Sequence, residues 1–460
     1  MTVPRPSAPI AARRSEAASA GLTEINGRSV VEFDIRGGKH VGAIGPPEGR
    51  TLAGAIRHAI ATGVPVCGTI ASSGADVAEG ISSLHARGEV ARAMADASGV
   101  VPIVLLVVGP CVSGPALLLG LADIVVMTED SFAYVTGPDT IASFTGIVVD
   151  KHELGGAALH ATRSGVASAV VADEDEGREL VAALLDYLPS NHLEDPPRWT
   201  IDDPVDRPCM LASAAVPARS SASYDMRVVI EDILDADSFL ELRPLHAPNI
   251  VTGLGRLDGR TVGIIANQPC QRAGTIDIEA SEKAARFVQW CDCFNVALLT
   301  LVDTPGFEPG RDLEWRGMIR HGAELVYAYA AATVPRLCLV LRKAYGGAYI
   351  VMDSKGLGND WCGAWPTAEI AVIGAPGAVG ILHGRRLREI TDPGEQLAER
   401  AALEHEYQDR FANPYIAAEW GFVDDVVPAS ETRQILATAL ERLSTKREPV
   451  PRRRHGNTPL

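Results

Sequence analysis

Residues 21–30, Gly-Leu-Thr-Glu-Ile-Asn-Gly-Arg-Ser-Val, return 232 positions later as Gly-Leu-Gly-Arg-Leu-Asp-Gly-Arg-Thr-Val at 253–262. The turn Ser72-Ser73-Gly74-Ala75 returns at the same offset as Thr304-Pro305-Gly306-Phe307. The apolar run 102–108, followed by Cys111-Val-Ser113-Gly114-Pro115-Ala116, returns one position later as 335–341, followed by Ala344-Tyr-Gly346-Gly347-Ala348-Tyr349. A register held over several landmarks predicts two homologous domains of similar size. Each carries two glycine turns about 40 residues apart. Glycine turns after strands present backbone N–H groups, and two such groups can hold an oxyanion.

Composition agrees. At 460 residues the chain exceeds what one core supports, and 47% hydrophobic residues are enough for two. No run of about 18 uncharged apolar residues occurs, so no transmembrane helix is expected. The first residues have no apolar core of secretory type. The eight cysteines show no framework spacing, and Cys67, Cys111 and Cys338 sit in apolar runs. Reduced thiols in a cytoplasmic protein are the expectation. Cys291-Asp-Cys293 has no second pair and no nearby histidine set, so it reads as the end of a helix and no metal site is expected. A net charge of −16 argues against a nucleic-acid surface.

The pattern along the chain is α/β. Residues 1–20, rich in Ala, Ser, Pro and Arg, read as a disordered leader. Short apolar runs at 65–70, 103–108 and 124–127 read as buried parallel strands, with amphipathic helices at 51–61 and 81–97 between them. This alternation predicts strand–helix–strand units over a first domain, 21–195. The Pro-, Ala-, Ser- and Asp-rich stretch 196–222 reads as a linker. The second domain, 223–445, repeats the pattern with strands at 296–302, 337–341 and 370–373 and helices at 316–331 and 348–354. Residues 446–460, with Arg452-Arg453-Arg454, read as a basic tail.

The chemistry on offer lies in the strand–turn–helix units. A helix N-terminus has unpaired N–H groups and roughly half a positive charge. Gly346-Gly347-Ala348 can set an N–H against a developing carbonyl oxyanion, and Gly306-Phe307 can supply a second from the neighbouring strand. Ala75 and Gly114 do the same in the first domain. There is no Gly-x-Ser-x-Gly elbow, no Walker-type phosphate loop and no His-Glu-x-x-His, and Gly37-Gly38 lacks dinucleotide spacing. His321, on a helix beside Arg320, reads as a surface or capping histidine rather than a base. Oxyanion turns without a nucleophile or base suggest that a cofactor or the substrate supplies the reactive atoms.

Several motifs resemble one family. They are Leu299-Thr-Leu-Val-Asp303-Thr-Pro-Gly-Phe-Glu-Pro-Gly310, Ile319-Arg-His-Gly322, Arg342-Lys-Ala-Tyr-Gly-Gly-Ala-Tyr349 and Ala364-Trp-Pro-Thr-Ala368. Val135-Thr-Gly-Pro-Asp139 and Glu153-Leu-Gly-Gly156 join them in the first half. The chain resembles the carboxyltransferase (β) subunits of biotin-dependent acyl-CoA carboxylases, of propionyl-CoA and acetyl-CoA carboxylase type. The resemblance implies two tandem crotonase-like domains related by duplication. It implies transfer of CO2 from carboxybiotin to the α-carbon of a short-chain acyl-CoA through an enolate. Biotin would arrive on a partner α subunit, and the subunits would form a homo- or hetero-oligomeric ring such as a hexamer. In the family the residue after Tyr349 faces the acyl chain, here Ile350.

The departures from the family lie in the first half. Asp76 stands where the family has arginine. Ser113 replaces a glycine, and its Cβ disfavours backbone conformations open to glycine. Pro115 lacks an N–H but suits a first helical turn. Gly347, Ala348, Gly114 and Ala75 are expected to be catalytic; Gly306, Phe307, Gly346, Ile350 and Ser113 are expected to bind substrate. Two other readings stay open on these departures: a malonyl-type CoA decarboxylase of the same fold, and a non-catalytic scaffold subunit of a mixed carboxylase complex.

Overall fold

In the computed structural model, which describes residues 17–38, 41–450 and 455–459, both halves begin with the same hairpin. Strand β1 (Ala18–Ile25) turns at Asn26-Gly27 into antiparallel β2 (Arg28–Ile35). Both turn residues have positive φ, 49° and 74°. A two-residue turn of that kind matches the twist of its strands and favours Asn-Gly. The sheet then grows by parallel pairing through β3 (Val66–Ser72), β4 (Ile103–Val112) and β5 (Ile124–Thr128). Short β6 (Phe132–Tyr134) pairs in parallel beside the end of β4, and β7 (Ala169–Val171) closes the edge beside β5. Helices α1 (Pro46–Thr62) and α2 (Ile81–Ala97) make the crossovers, and α3 (Gly114–Leu119) follows β4.

The second half carries one extra edge strand, β8 (Leu240–Leu242), and then repeats the order. Strands β9 (Ile250–Leu257) and β10 (Arg260–Asn267) form the hairpin around Asp258-Gly259, again with positive φ, 53° and 71°. Parallel β11 (Ala297–Thr304), β12 (Arg336–Tyr345) and β13 (Trp361–Ala364) come next. Strand β14 (Glu369–Ala371) pairs in parallel beside the end of β12, and β15 (Asp425–Val426) closes the edge. Strand for strand, β1 to β7 correspond to β9 to β15, so the sequence repeat is a repeat of topology. The helices Ile278–Cys293, Met318–Ala331 and Gly346–Val351 take the places of α1, α2 and α3.

Each half holds its own apolar core. In the first, Val31, Phe33 and Ile35 of β2 meet Leu52 and Ile56 of α1 and Leu105 and Val107 of β4, all at most 4% exposed. In the second, Val262 and Ile264 of β10 meet Leu299, Leu301, Leu337 and Leu339. The chain divides into two compact units near residue 197, with the short segments Leu242–His246 and Cys293–Asn295 grouped with the first. Among the described residues no helix is long and apolar enough to cross a membrane.

Some elements differ from the sequence reading. Residues 18–20, expected in the leader, already belong to β1, because pairing with β2 satisfies their backbone; residues 1–16 of the leader, and Arg452–Arg454 of the tail, lie outside the described residues. The expected linker 196–222 contains a helix, Met210–Ala215. A helical hairpin, Ala375–Glu389 and Pro393–Phe411, comes after β14. It has a small core of Val379, Leu387 and Leu403, too sparse an apolar pattern to announce itself.

Candidate active site

The two glycine turns of each half leave neighbouring parallel strands at matching register. Ser72 pairs with Cys111 across β3 and β4, and Thr304 pairs with Ala344 across β11 and β12. Ala75 and Gly114 each lie three residues past those partners, as do Phe307 and Gly347. Both strand pairs shift register just before the turns, between Ile70 and Ser72 and between Val302 and Thr304. Such bulges bend a strand and re-aim the residues beyond them, and they gather beside active sites.

The turns themselves are built alike. Gly74 N–H donates to Ser72 Oγ at 3.3 Å, and Gly306 N–H donates to Thr304 Oγ1 at 3.3 Å. Both glycines hold positive φ, 117° and 146°. In the first half Ile44 N–H donates to Gly74 C=O at 2.8 Å, and Asp76 N–H donates to Ile44 C=O at 3.2 Å. In the second, Ile276 N–H donates to Gly306 C=O at 3.1 Å, and Glu308 N–H donates to Ile276 C=O at 2.9 Å. Each pattern consumes the groups on either side of the central residue and turns its own N–H away. Among the described residues, the N–H groups of Ala75 and Phe307 donate to no acceptor. The same holds for Gly114 and Gly347, which lie in the first turns of α3 and of the helix Gly346–Val351 and so have no intrahelical partner. Ala348 comes next, its side chain fully buried.

Other expected site residues fall around these donors. A Cβ built on Gly74 would lie 3.4 Å from Val112 O and 3.6 Å from Ser113 Cβ, so the first-half turns touch. A Cβ on Gly347 would lie 3.2 Å from Phe307 Cε2, so the second-half turns touch as well. Ile350 stands on the outer side of its helix, 49% exposed. Both helices are only six residues long, so individual N–H groups, rather than the dipole of a long helix, supply the field.

Ser113 departs from the sequence reading. It does adopt the conformation of a glycine, φ 64° and ψ −123°, beside φ 57° at its counterpart Gly346. The hydrogen bond from its N–H to Tyr134 C=O at 2.8 Å holds it there. A non-glycine residue in such a region costs about 1–3 kcal/mol. Ser113→Gly is therefore expected to raise stability by about 1 kcal/mol after the greater chain entropy of glycine is subtracted. A denaturation midpoint that falls in this variant would show that Ser113 carries no strain.

The second-half turns are braced by charge. Asp303, fully buried at the end of β11, accepts from Arg342 Nε at 3.0 Å and from Lys343 N–H at 3.2 Å. Arg342 is 1% exposed; it also donates to Arg219 C=O at 2.8 Å and lies over the Tyr224 ring. Tyr345 OH donates to Glu369. Burial lowers the Lys343 pKa and raises those of Tyr345 and Tyr349. The first half has no such brace: Gly109 and Ala71 occupy the bulge, and a Cβ on Gly109 would lie 3.2 Å from Ala71 Cβ. The sequence reading gave Asp303 and Arg342 no role. The available signal was a charged residue continuing each buried apolar strand, which burial obliges to pair.

No side chain here is poised as a nucleophile. Burial pushes the Cys111 thiol up to about 12, leaving it protonated at neutral pH. His321 is held away from the turns: its Nδ1 is 2.9 Å from Glu282 and 3.4 Å from Glu324, and Arg320 faces its Nε2 at 3.1 Å. His321, Glu282 and Glu324 also form a group that could hold a cation, with ligand atoms within 4.8 Å of one another. His321 Nδ1 lies at ion-pair distance from both carboxylates without a well-aligned hydrogen bond to either, and no cation is needed to account for the cluster. Two pairs of main-chain donors remain for the chemistry.

Known proteins resemble the chain over nearly its whole length. Residues 10–458 match the family model of the carboxyl transferase domain. The chain is 46% identical over 450 residues to the propionyl-CoA carboxylase beta chain of Saccharopolyspora erythraea, covering 96% of this chain and 82% of that one. It is 41% identical over 428 residues to the methylmalonyl-CoA carboxyltransferase 12S subunit of Propionibacterium freudenreichii, covering 93% and 80%. Among solved structures it is similar to transcarboxylase 12S, a hexamer assembly crystallised with methylmalonyl-coenzyme A and methylmalonic acid bound. The TM-score is 0.93 and the identity 40%, over 96% of this chain and 85% of that one.

Proposed function

The chain belongs to the carboxyl transferase domain family, and from that premise we propose that it is the carboxyltransferase subunit of a biotin-dependent acyl-CoA carboxylase, with its two pairs of main-chain donors as its catalytic groups. The observation that carries the assignment of the site is that the N–H groups of Ala75, Gly114, Phe307 and Gly347, at corresponding positions of a duplicated sheet, all find no acceptor among the described residues. A degenerate scaffold has no reason to keep the first-half pair open, and a Gly114 N–H spent on the backbone would have favoured that reading.

The donor sets fit the two oxygens the reaction must hold. Carboxybiotin, carried by a biotinylated partner subunit, supplies CO2 and a ureido nitrogen basic enough to take the α-proton. Phe307 and Gly347, with Ala348, offer N–H groups to the ureido oxygen. Ala75 and Gly114 offer theirs to the thioester oxygen, which becomes negative as the α-proton leaves. The new C–C bond forms between the α-carbon and CO2, and the charge moves from the thioester oxygen to the new carboxylate. One such donor is typically worth about 3 kcal/mol of barrier, and the rest of the contribution is position.

We place substrate choice at Ile350 and the protein in the cytoplasm, where eight cysteines that form no disulfide among the described residues are at home. The similarity to a hexameric relative supports a ring of subunits. An apolar residue at 350 desolvates an alkyl group at little cost, which favours a plain saturated short-chain acyl-CoA. Ile350→Asp is expected to reorder acetyl-, propionyl- and butyryl-CoA, by about 1–3 kcal/mol per methylene in kcat/KM. An unchanged order would place Ile350 outside the pocket. The function as a whole is tested by mixing the protein with a biotinylated α subunit, ATP, labelled bicarbonate and that acyl-CoA panel. Carboxylated thioester should appear; no labelled product from any thioester would overturn the proposal.

A further inference from the structure

Helix α2 sends one long cation back to the first-half turns. A Cβ built on Gly114 would lie 2.9 Å from Arg87 Cζ and 3.0 Å from Arg87 Cδ, so the guanidinium rests on the residue whose N–H is open. Arg87 Nε is buried and has no hydrogen-bond partner, and among the described residues no carboxylate pairs with the guanidinium. An open pocket of about 330 Å³ lies here, lined by Arg87, Ser113 and Gly114 and by the apolar side chains of Leu84, Leu117 and Val135. A partly buried guanidinium without a counter-ion is a costly arrangement. Its fork of donors suits a carboxylate or a phosphate.

We propose that Arg87 binds the carboxylate of the carboxylated acyl-CoA and so discriminates the dicarboxylic thioester from its monocarboxylic precursor. The inference rests on the carboxyltransferase reading, which puts the thioester oxygen at the Ala75 and Gly114 N–H groups. The new carboxyl group is attached to the carbon next to the thioester carbonyl, so its oxygens form beside that oxygen, within reach of a guanidinium resting on Gly114. The phosphates of coenzyme A are many bonds away at the other end of the pantetheine arm. Negative charge that leaves the thioester oxygen as the C–C bond forms arrives on the carboxylate next to Arg87. The guanidinium neither gains nor loses a proton. Its charge stabilises the product and the transition state leading to it, while the neutral acyl chain gains only contact with the apolar wall.

Binding measured by calorimetry on the intact protein, with no biotinylated partner present, tests this apart from turnover. The probes are coenzyme A, propionyl-CoA and methylmalonyl-CoA. Arg87→Met, of similar length and no charge, should weaken methylmalonyl-CoA about 10- to 100-fold while leaving propionyl-CoA and coenzyme A within about twofold. Arg87→Lys should recover part of the loss, because it keeps the charge and loses the fork. Equal weakening of both thioesters would overturn the proposal in favour of a packing role, and weakening of coenzyme A itself would assign Arg87 to the phosphates. Undiminished methylmalonyl-CoA binding in Arg87→Met would place the carboxylate elsewhere. A wild-type protein that binds neither thioester would overturn the functional reading and this assignment with it.

Discussion

Gly347→Val is expected to lower carboxyl transfer by at least tenfold, and up to about a thousandfold, while the protein stays folded. The first Cβ atom already meets the Phe307 ring at 3.2 Å. The opposite edge of that ring faces Gly322, where an added Cβ would stand at an ordinary contact distance of 3.4 Å, so the ring has little more than the space of one missing methyl to retreat into. The branched methyls of valine must therefore push the Phe307 turn away from the helix start, and the two N–H groups separate. Displacing a donor by about 1 Å costs on the order of a hundredfold, and losing it altogether costs about 10²–10³. Gly347→Ala, which asks the ring to give by only a few tenths of an ångström, should fall between the wild type and the valine variant. The measurement is kcat with saturating acyl-CoA and biotinylated partner, alongside the thermal midpoint. Normal turnover in Gly347→Val would remove Gly347 and Phe307 from the site.

The second large effect is on stability. Asp303→Ala leaves the Arg342 guanidinium, 1% exposed, without its carboxylate. Breaking a buried pair from one side costs about 3–5 kcal/mol, because the remaining charge stays out of water. For a unit of this size that lowers the thermal midpoint by about 6–20 °C. Removing both partners is a different matter. Asp303→Ala with Arg342→Met removes the buried guanidinium and leaves only Lys343 Nζ, 3.8 Å from Asp303, without its carboxylate, so the double variant should recover part of the loss. A double variant as unstable as the single one would mean that the carboxylate acts chiefly through its bond to Lys343 N–H at 3.2 Å. Activity is expected to fall in Asp303→Ala even below its melting temperature, since the pair anchors both strands that carry the turns.

The sequence was most legible where local chemistry and tertiary structure ask for the same thing. Asn26-Gly27 and Asp258-Gly259 mark turns whose backbone needs positive φ twice, and the repeat of those turns announced the repeat of the sheets. The helix expected at 81–97 has those bounds, because its apolar spacing and its packing on the sheet agree. The buried strands at 103–108 and 337–341 were visible as apolar runs; their extensions to Val112 and Tyr345 were not, because the bulges break the pattern there. Asp303 and Arg342 are 39 positions apart and meet only through the register of two parallel strands. Arg87 shows no signal at all: on a helix such as α2, an arginine is ordinary until the fold lays it on Gly114. Ser113 looked closed to a glycine conformation because a residue's preference was weighed without the hydrogen bond that overrides it.

The open N–H groups of Ala75, Gly114, Phe307 and Gly347 have a consequence for inhibition. Each donor belongs to the main chain, and every amino acid but proline would supply it again. A compound anchored on either pair would thus touch atoms that almost no codon change can delete. Resistance would have to arise indirectly, through bulk at the glycines, which is expected to harm turnover, or through residues such as Ile350, to which we assign the choice of substrate. The absence of a reactive thiol or an activated hydroxyl at these turns has the opposite cost for a chemist: electrophilic warheads find nothing to label there, and potency must come from shape and a well-placed acceptor.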